Sequence, residues 1–123
     1  MQRVLIVGQD EMLQFSRAAL LRSLGVEAVC CQGRDALDIQ RDRHCELIVL
    51  CHSLPARLSS SLAEKIHASW PNTWILRVVA RDWDVAHNPG PGVAVSSADP
   101  AGLLQMAKKL LQVDPAAARV RTH

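Results

Sequence analysis

Val4-Leu5-Ile6-Val7, followed at once by Gly8-Gln9-Asp10-Glu11, is a strand that ends and a helix that begins. Four apolar residues in a row, three of them β-branched, show no polar alternation, so both faces of this strand must be covered. Similar runs recur at 26–31, 47–51, 74–80 and 93–95, and the segments between them carry helical spacing. Five largely apolar strands alternating with helices can be buried only in a parallel sheet with helices on both faces. The fold class is therefore a doubly wound α/β domain. The repeat reflects βα units rather than a solenoid, since the units share no motif.

The helix signals are specific. Asp10 is a cap for a first helix from about Glu11 to Leu24, which turns Leu13, Leu20, Leu21 and Leu24 inward and stops at Gly25. A short second helix runs from Arg34 to about Arg41. The third starts at Ser61, which forms a capping box with Glu64, and ends before Pro71. The last begins at Asp99-Pro100, a capping residue followed by proline at the first helical position, and carries Leu103, Met106, Ala107 and Leu110 toward the core. One unit is defective. Residues 81–92 hold too many Pro and Gly for a full covering helix, so the fourth helix is expected to be stunted or missing, leaving Arg77 of the fourth strand a route to water.

Composition narrows the function. The chain has 123 residues, of which 49% are apolar, enough for one domain with its own core. That domain is expected over 1–112, with 113–123 as a flexible tail. Fourteen basic against twelve acidic residues leave a net charge of +2, which gives no basis for a nucleic-acid or membrane partner. No apolar run has the roughly 18 residues a bilayer span needs, and no signal peptide is seen, so a cytoplasmic location is expected. Cys30, Cys31, Cys45 and Cys51 lack metal-site spacing and read as reduced thiols. His44, His52, His67, His87 and His123 show no pairing motif, and no metal or cofactor is expected. Gly8-Gln9-Asp10-Glu11 offers one glycine and two carboxylates where a phosphate loop needs several glycines, which argues against nucleotide binding.

The strand ends and helix starts together, Val4 to Glu11, Leu47 to Pro55 and Asp99-Pro100 before a leucine-rich helix, resemble a response-regulator receiver domain over residues 3–112. The resemblance implies a five-stranded flavodoxin-like sheet of order 2-1-3-4-5 and a role in bacterial two-component signal transduction. It also implies an acidic pair and a phosphoacceptor aspartate at the strand ends, a hydroxyl residue ending the fourth strand, and a lysine ending the fifth. Here the matching positions are Gly8, Gln9, Cys51, Val79 and Ser96, with Ser97 where proline usually follows. Magnesium wants hard oxygen ligands, and glycine, one amide and a thiol do not supply them. Phosphoryl transfer rests on positioning and on charge neutralisation by metal and lysine, so its means are missing as well as its acceptor. Asp10 reads as a helix cap rather than a remnant metal ligand.

The expected function is that of a pseudo-receiver, a non-phosphorylatable signalling module that works by protein contact and is not an enzyme. The alternative is a thiol sensor or thiol enzyme using Cys51, though no basic residue is assigned beside that thiol and His52 should point away from it. The partner is expected to be another signalling protein or a second copy of the chain. Two surfaces are candidates for it: Leu104, Lys108 and Leu111 on the last helix with the fifth strand, and Trp83 with Val85 in the proline-rich stretch.

Overall fold

A computed structural model describes residues 2–79 and 92–112. Five strands, β1 (Arg3–Val7), β2 (Glu27–Cys31), β3 (Leu47–Leu50), β4 (Trp74–Val79) and β5 (Val93–Ser97), pair in parallel in the order β2-β1-β3-β4-β5. The expected doubly wound sheet is present. β1 and β3 lie inside it, and Val4, Leu5, Ile6, Val7, Leu47, Ile48 and Val49 are all 0% exposed, which is why these seven positions are all apolar.

Four described helices cover the sheet: α1 (Glu11–Arg22), α2 (Ala36–Asp42, entered through a tight turn at Gly33–Asp35), α3 (Ala56–Ser69) and α4 (Pro100–Leu111). On one face, α1 and α4 pack on Val4, Ile6, Leu47, Val49, Leu76 and Val78. On the other, α2 and α3 pack on Leu5, Val7, Ile48, Leu50 and Ile75. Strand alternation puts Arg77 on this second face, where it is half-buried. The expectations for the fourth helix of the pattern, for Trp83 and Val85, and for the tail all fall outside the described residues.

Two helices correct the reading of the sequence. Helix α1 ends at Arg22, and Leu24 and Gly25 form a turn in which Gly25 takes φ +80°, a conformation that favours glycine. Its buried residues are Gln14, Arg17, Ala18 and Leu21, while Leu13, Leu20 and Leu24 are only half-buried. The spacing of 14, 17, 18 and 21 is that of one helical face, so two polar side chains have taken places assigned to leucine. Helix α3 begins at Ala56 with Pro55 as its cap position, so Ser61 is mid-helix and no capping box forms. Burial of Leu62 and packing of Leu58 on the core favour helix through the serine run, outweighing the weak propensity of serine. Helix α4 meets its expectation: Asp99 accepts from Gly102 N–H at 3.0 Å, and Leu103, Ala107 and Leu110 are buried.

Candidate functional site

In a sheet of this order the chain leaves β1 toward β2 on one side and returns as β3 on the other, opening a crevice at the carboxyl ends of β1 and β3. The structure brings the expected positions to that end of the sheet. Gly8, Gln9 and Asp10 follow β1, Cys51 follows β3, Val79 ends β4, and Ser96 lies one residue from the end of β5.

The crevice is filled by this chain's own side chains. A Cβ placed on Gly8 would lie 2.9 Å from Ser53 Oγ, 3.2 Å from Cys51 Cβ and 3.3 Å from Gln14 Cδ. The Ser53 hydroxyl is held there by accepting from Gln9 N–H at 3.0 Å. Glycine at position 8 is thus required by a close approach rather than by its backbone angle. Asp10 is exposed, and its carboxylate accepts from Leu13 N–H at 3.1 Å, the behaviour of a helix cap. Val79 is half-buried, and Ser96 is buried with its hydroxyl donating to Ser97 O at 3.0 Å.

Cys51 is 1% exposed, packed into the core cluster on the α1 and α4 face. A basic residue does stand beside it, contrary to the reading of the sequence. Arg17, only 4% exposed, brings its guanidinium against Cys51, and its Nη2 donates to His52 Nδ1 at 3.2 Å. A guanidinium can only donate, so that ring nitrogen must be an acceptor. His52 is exposed, on the solvent side of Cys51, and meets the cluster only through Arg17. Burial pushes the Cys51 thiol up, and the nearby guanidinium works against that shift without reversing it. His52 is pushed down by desolvation and by Arg17, with Asp10 acting in the opposite direction. The resulting site holds a buried guanidinium, a thiol that burial makes slower to ionise and an exposed imidazole made slower to take up a proton. Arg17 Nη1 is buried without a hydrogen-bond partner among the described residues, and no carboxylate there pairs with it.

Sequence reasoning missed Gln14, Arg17 and Ser53. The spacing of Gln14, Arg17, Ala18 and Leu21 was the available signal, obscured by the more numerous leucines. Among the described residues, no group of three His, Cys, Asp or Glu side chains is placed to hold a metal ion, and no helix is long and apolar enough to cross a membrane. All four cysteines are free; Cys30 is exposed, while burial pushes Cys31 up to about 12 and Cys45 to about 11.

The candidate contact surfaces also change. Leu104 and Leu111 are half-buried against the core cluster of the α1 and α4 face, so they widen helix packing instead of forming a free apolar band. Lys108 is exposed. An open groove of about 540 Å³ runs between β5 and α4, lined in part by Val95, Ser97, Gln105 and Lys109. The large apolar side chains most exposed among the described residues are on α1: Met12 at 82% and Phe15 at 70%. Phe15 borders a smaller groove of about 270 Å³ with Cys30 and Cys31 of β2.

No family model matches the sequence, and no curated protein matches it either. Solved structures do match in shape. The receiver domain of the Francisella response regulator 1452 aligns with a TM-score of 0.77 at 16% identity, covering 91% of this chain and 98% of that one. The response regulator TrrA from Thermotoga maritima, solved with Mg²⁺ and BeF, gives 0.74 at 20% identity, covering 89% and 99%. A CheY-like receiver domain from Methanospirillum hungatei gives 0.71 at 22% identity, covering 91% and 95%. At these identities the likeness is one of fold: this chain has the fold of response-regulator receiver domains.

Proposed function

We propose that this chain is a receiver-like signalling module that does not accept a phosphoryl group and acts through protein contact. The observation that carries the proposal is the filling of the crevice. Ser53 Oγ takes the space that any side chain at position 8 would need, and a buried guanidinium lies against the thiol at the position matching the acceptor. A divalent cation needs oxygen ligands there, and it would meet a fixed positive charge instead.

Protein contact is favoured over small-molecule chemistry because Cys51 is buried and burial pushes its thiol up, away from the reactive thiolate, whereas Met12 and Phe15 are open to solvent. The partner on this reading is another signalling protein or a second copy of the chain. TrrA has been solved in complex with the histidine kinase ThkA, which supports a protein partner in general terms. The α4 and β5 surface stays a candidate, but through Gln105, Lys108 and Lys109 rather than through leucines.

The test is incubation with Mg²⁺ and acetyl phosphate followed by intact mass measurement. The mass is expected to stay unchanged; a stable gain of one phosphoryl group would overturn the reading.

A further inference from the structure

A buried guanidinium with an unmade hydrogen bond is an unusual thing for a fold to keep. A guanidinium does not shed its proton in proteins, and a buried charge without a counter-charge is strongly destabilising. Arg17 is 4% exposed, its Nη2 reaches His52 Nδ1 at 3.2 Å, and its Nη1 is buried with no acceptor among the described residues. The groups that face this cluster are Cys51, His52, Asp10 at the cap of α1, and Cys30 on β2. None of them forms an ion pair with Arg17 within 4.0 Å. The guanidinium enters from the middle of α1, the helix that follows β1, and meets Cys51 and His52 just after β3.

We propose that Arg17 is the resident cation of this crevice: a positive charge carried on α1 that makes the site complementary to a single negative charge at position 51 and closes it to divalent cations. The inference rests on the reading of the crevice as the place matching a receiver's phosphoacceptor site. It adds that the electrostatics of the place are inverted, not merely lost. Where a magnesium site needs several carboxylates to gather around a free ion, here the cation is covalently part of the chain and one carboxylate at position 51 would satisfy it. That carboxylate would take up the free Nη1 donor in a charge-assisted hydrogen bond. A magnesium ion entering the same space would be repelled by Arg17 instead of being held.

The test compares Cys51→Asp with its uncharged isostere Cys51→Asn, each with Arg17 in place and each with Arg17→Met, by thermal melting at neutral pH. With Arg17 present, the aspartate variant is expected to melt about 5 °C or more above the asparagine variant. In the Arg17→Met background that advantage is expected to vanish or reverse, because the carboxylate is then buried alone; Arg17→Gln serves if Arg17→Met does not fold. Added Mg²⁺ is expected to leave the melting temperature of Cys51→Asp unchanged while Arg17 is in place. An equal aspartate-to-asparagine difference in both backgrounds would overturn the proposal, and so would a Mg²⁺-dependent rise for Cys51→Asp with Arg17 intact. Phosphorylation of the unaltered chain by acetyl phosphate is a separate outcome: it would remove the functional reading, while the dependence of an aspartate at 51 on Arg17 would still be measured independently.

Discussion

At the amino end of the sheet Gln40 is 1% exposed and its whole amide is engaged, whereas at the carboxyl end Arg17 is 4% exposed and one terminal nitrogen has no partner. The Gln40 amide accepts from Cys45 N–H at 2.9 Å and donates to Cys45 O at 3.3 Å and to Thr73 Oγ1 at 3.1 Å. Thr73 in turn donates to Cys45 O at 3.0 Å. This cluster ties the end of α2 to the starts of β3 and β4 and leaves nothing for a ligand to complete. The Arg17 cluster has one guanidinium donor free and a charge unbalanced. Buried polar groups that are fully paired act as fasteners; an unpaired one costs stability unless something else completes it.

This contrast predicts its largest effect at the amino end. Gln40→Ala strands a buried backbone N–H at Cys45 and removes a donor from Thr73 Oγ1, so it is expected to cost about 3 kcal/mol in urea unfolding. A loss below about 1 kcal/mol would show that the cluster is not a fastener. A smaller effect belongs to the crevice. Gly8→Ala puts a methyl group 2.9 Å from Ser53 Oγ, forcing that hydroxyl away from Gln9 N–H. The expected net loss is about 1 kcal/mol, since overpacking is partly offset by the reduced freedom of the unfolded chain. Most of that loss should disappear in a Ser53→Ala background; an equal loss with and without Ser53 would place the constraint on Cys51 and Gln14 instead.

The smallest difference is in the thiols. Cys45 at one end and Cys51 at the other are both buried and both pushed up by burial, while Cys30 is exposed. Alkylation at neutral pH, followed by peptide mapping, should label Cys30 first and reach Cys45 and Cys51 only through opening of the fold. Labelling of Cys51 as quick as that of Cys30 would move the function of the carboxyl end from charge to thiol chemistry.

Much of the fold could be read from the chain because the two strands flanking the crevice are apolar without interruption, Val4 to Val7 and Leu47 to Leu50, and α4 announces itself with Asp99-Pro100. The faces of α1 were less legible. A pattern argument sends Leu13, Leu20 and Leu24 inward and Gln14 and Arg17 outward, yet at the carboxyl end of the sheet a helix also meets strand carbonyls, and a carbonyl with two lone pairs can accept a side-chain donor beside its backbone one, as Cys31 O does from Gly8 N–H. Gln14 supplies that side-chain donor. The start of α3 was hidden for a related reason: Ser61 and Glu64 have the spacing of a cap, but the core needs helix upstream of them. The positions of the crevice were visible as strand ends, from Gly8 to Cys51. Its cation was not, because Arg17 reaches Cys51 across more than thirty residues of sequence and no local rule connects the two.

The Gln14 side chain has a mechanical consequence. Its Nε2 donates both to Ile6 O at 3.0 Å and to Cys31 O at 2.8 Å, fastening α1 to two neighbouring strands at one height. Lifting the first turns of α1 far enough to admit a guest beside Cys51 would tear both bonds together. The mouth of the crevice is latched from the inside, and a partner that docks on Met12 and Phe15 would be gripping the handle of that latch.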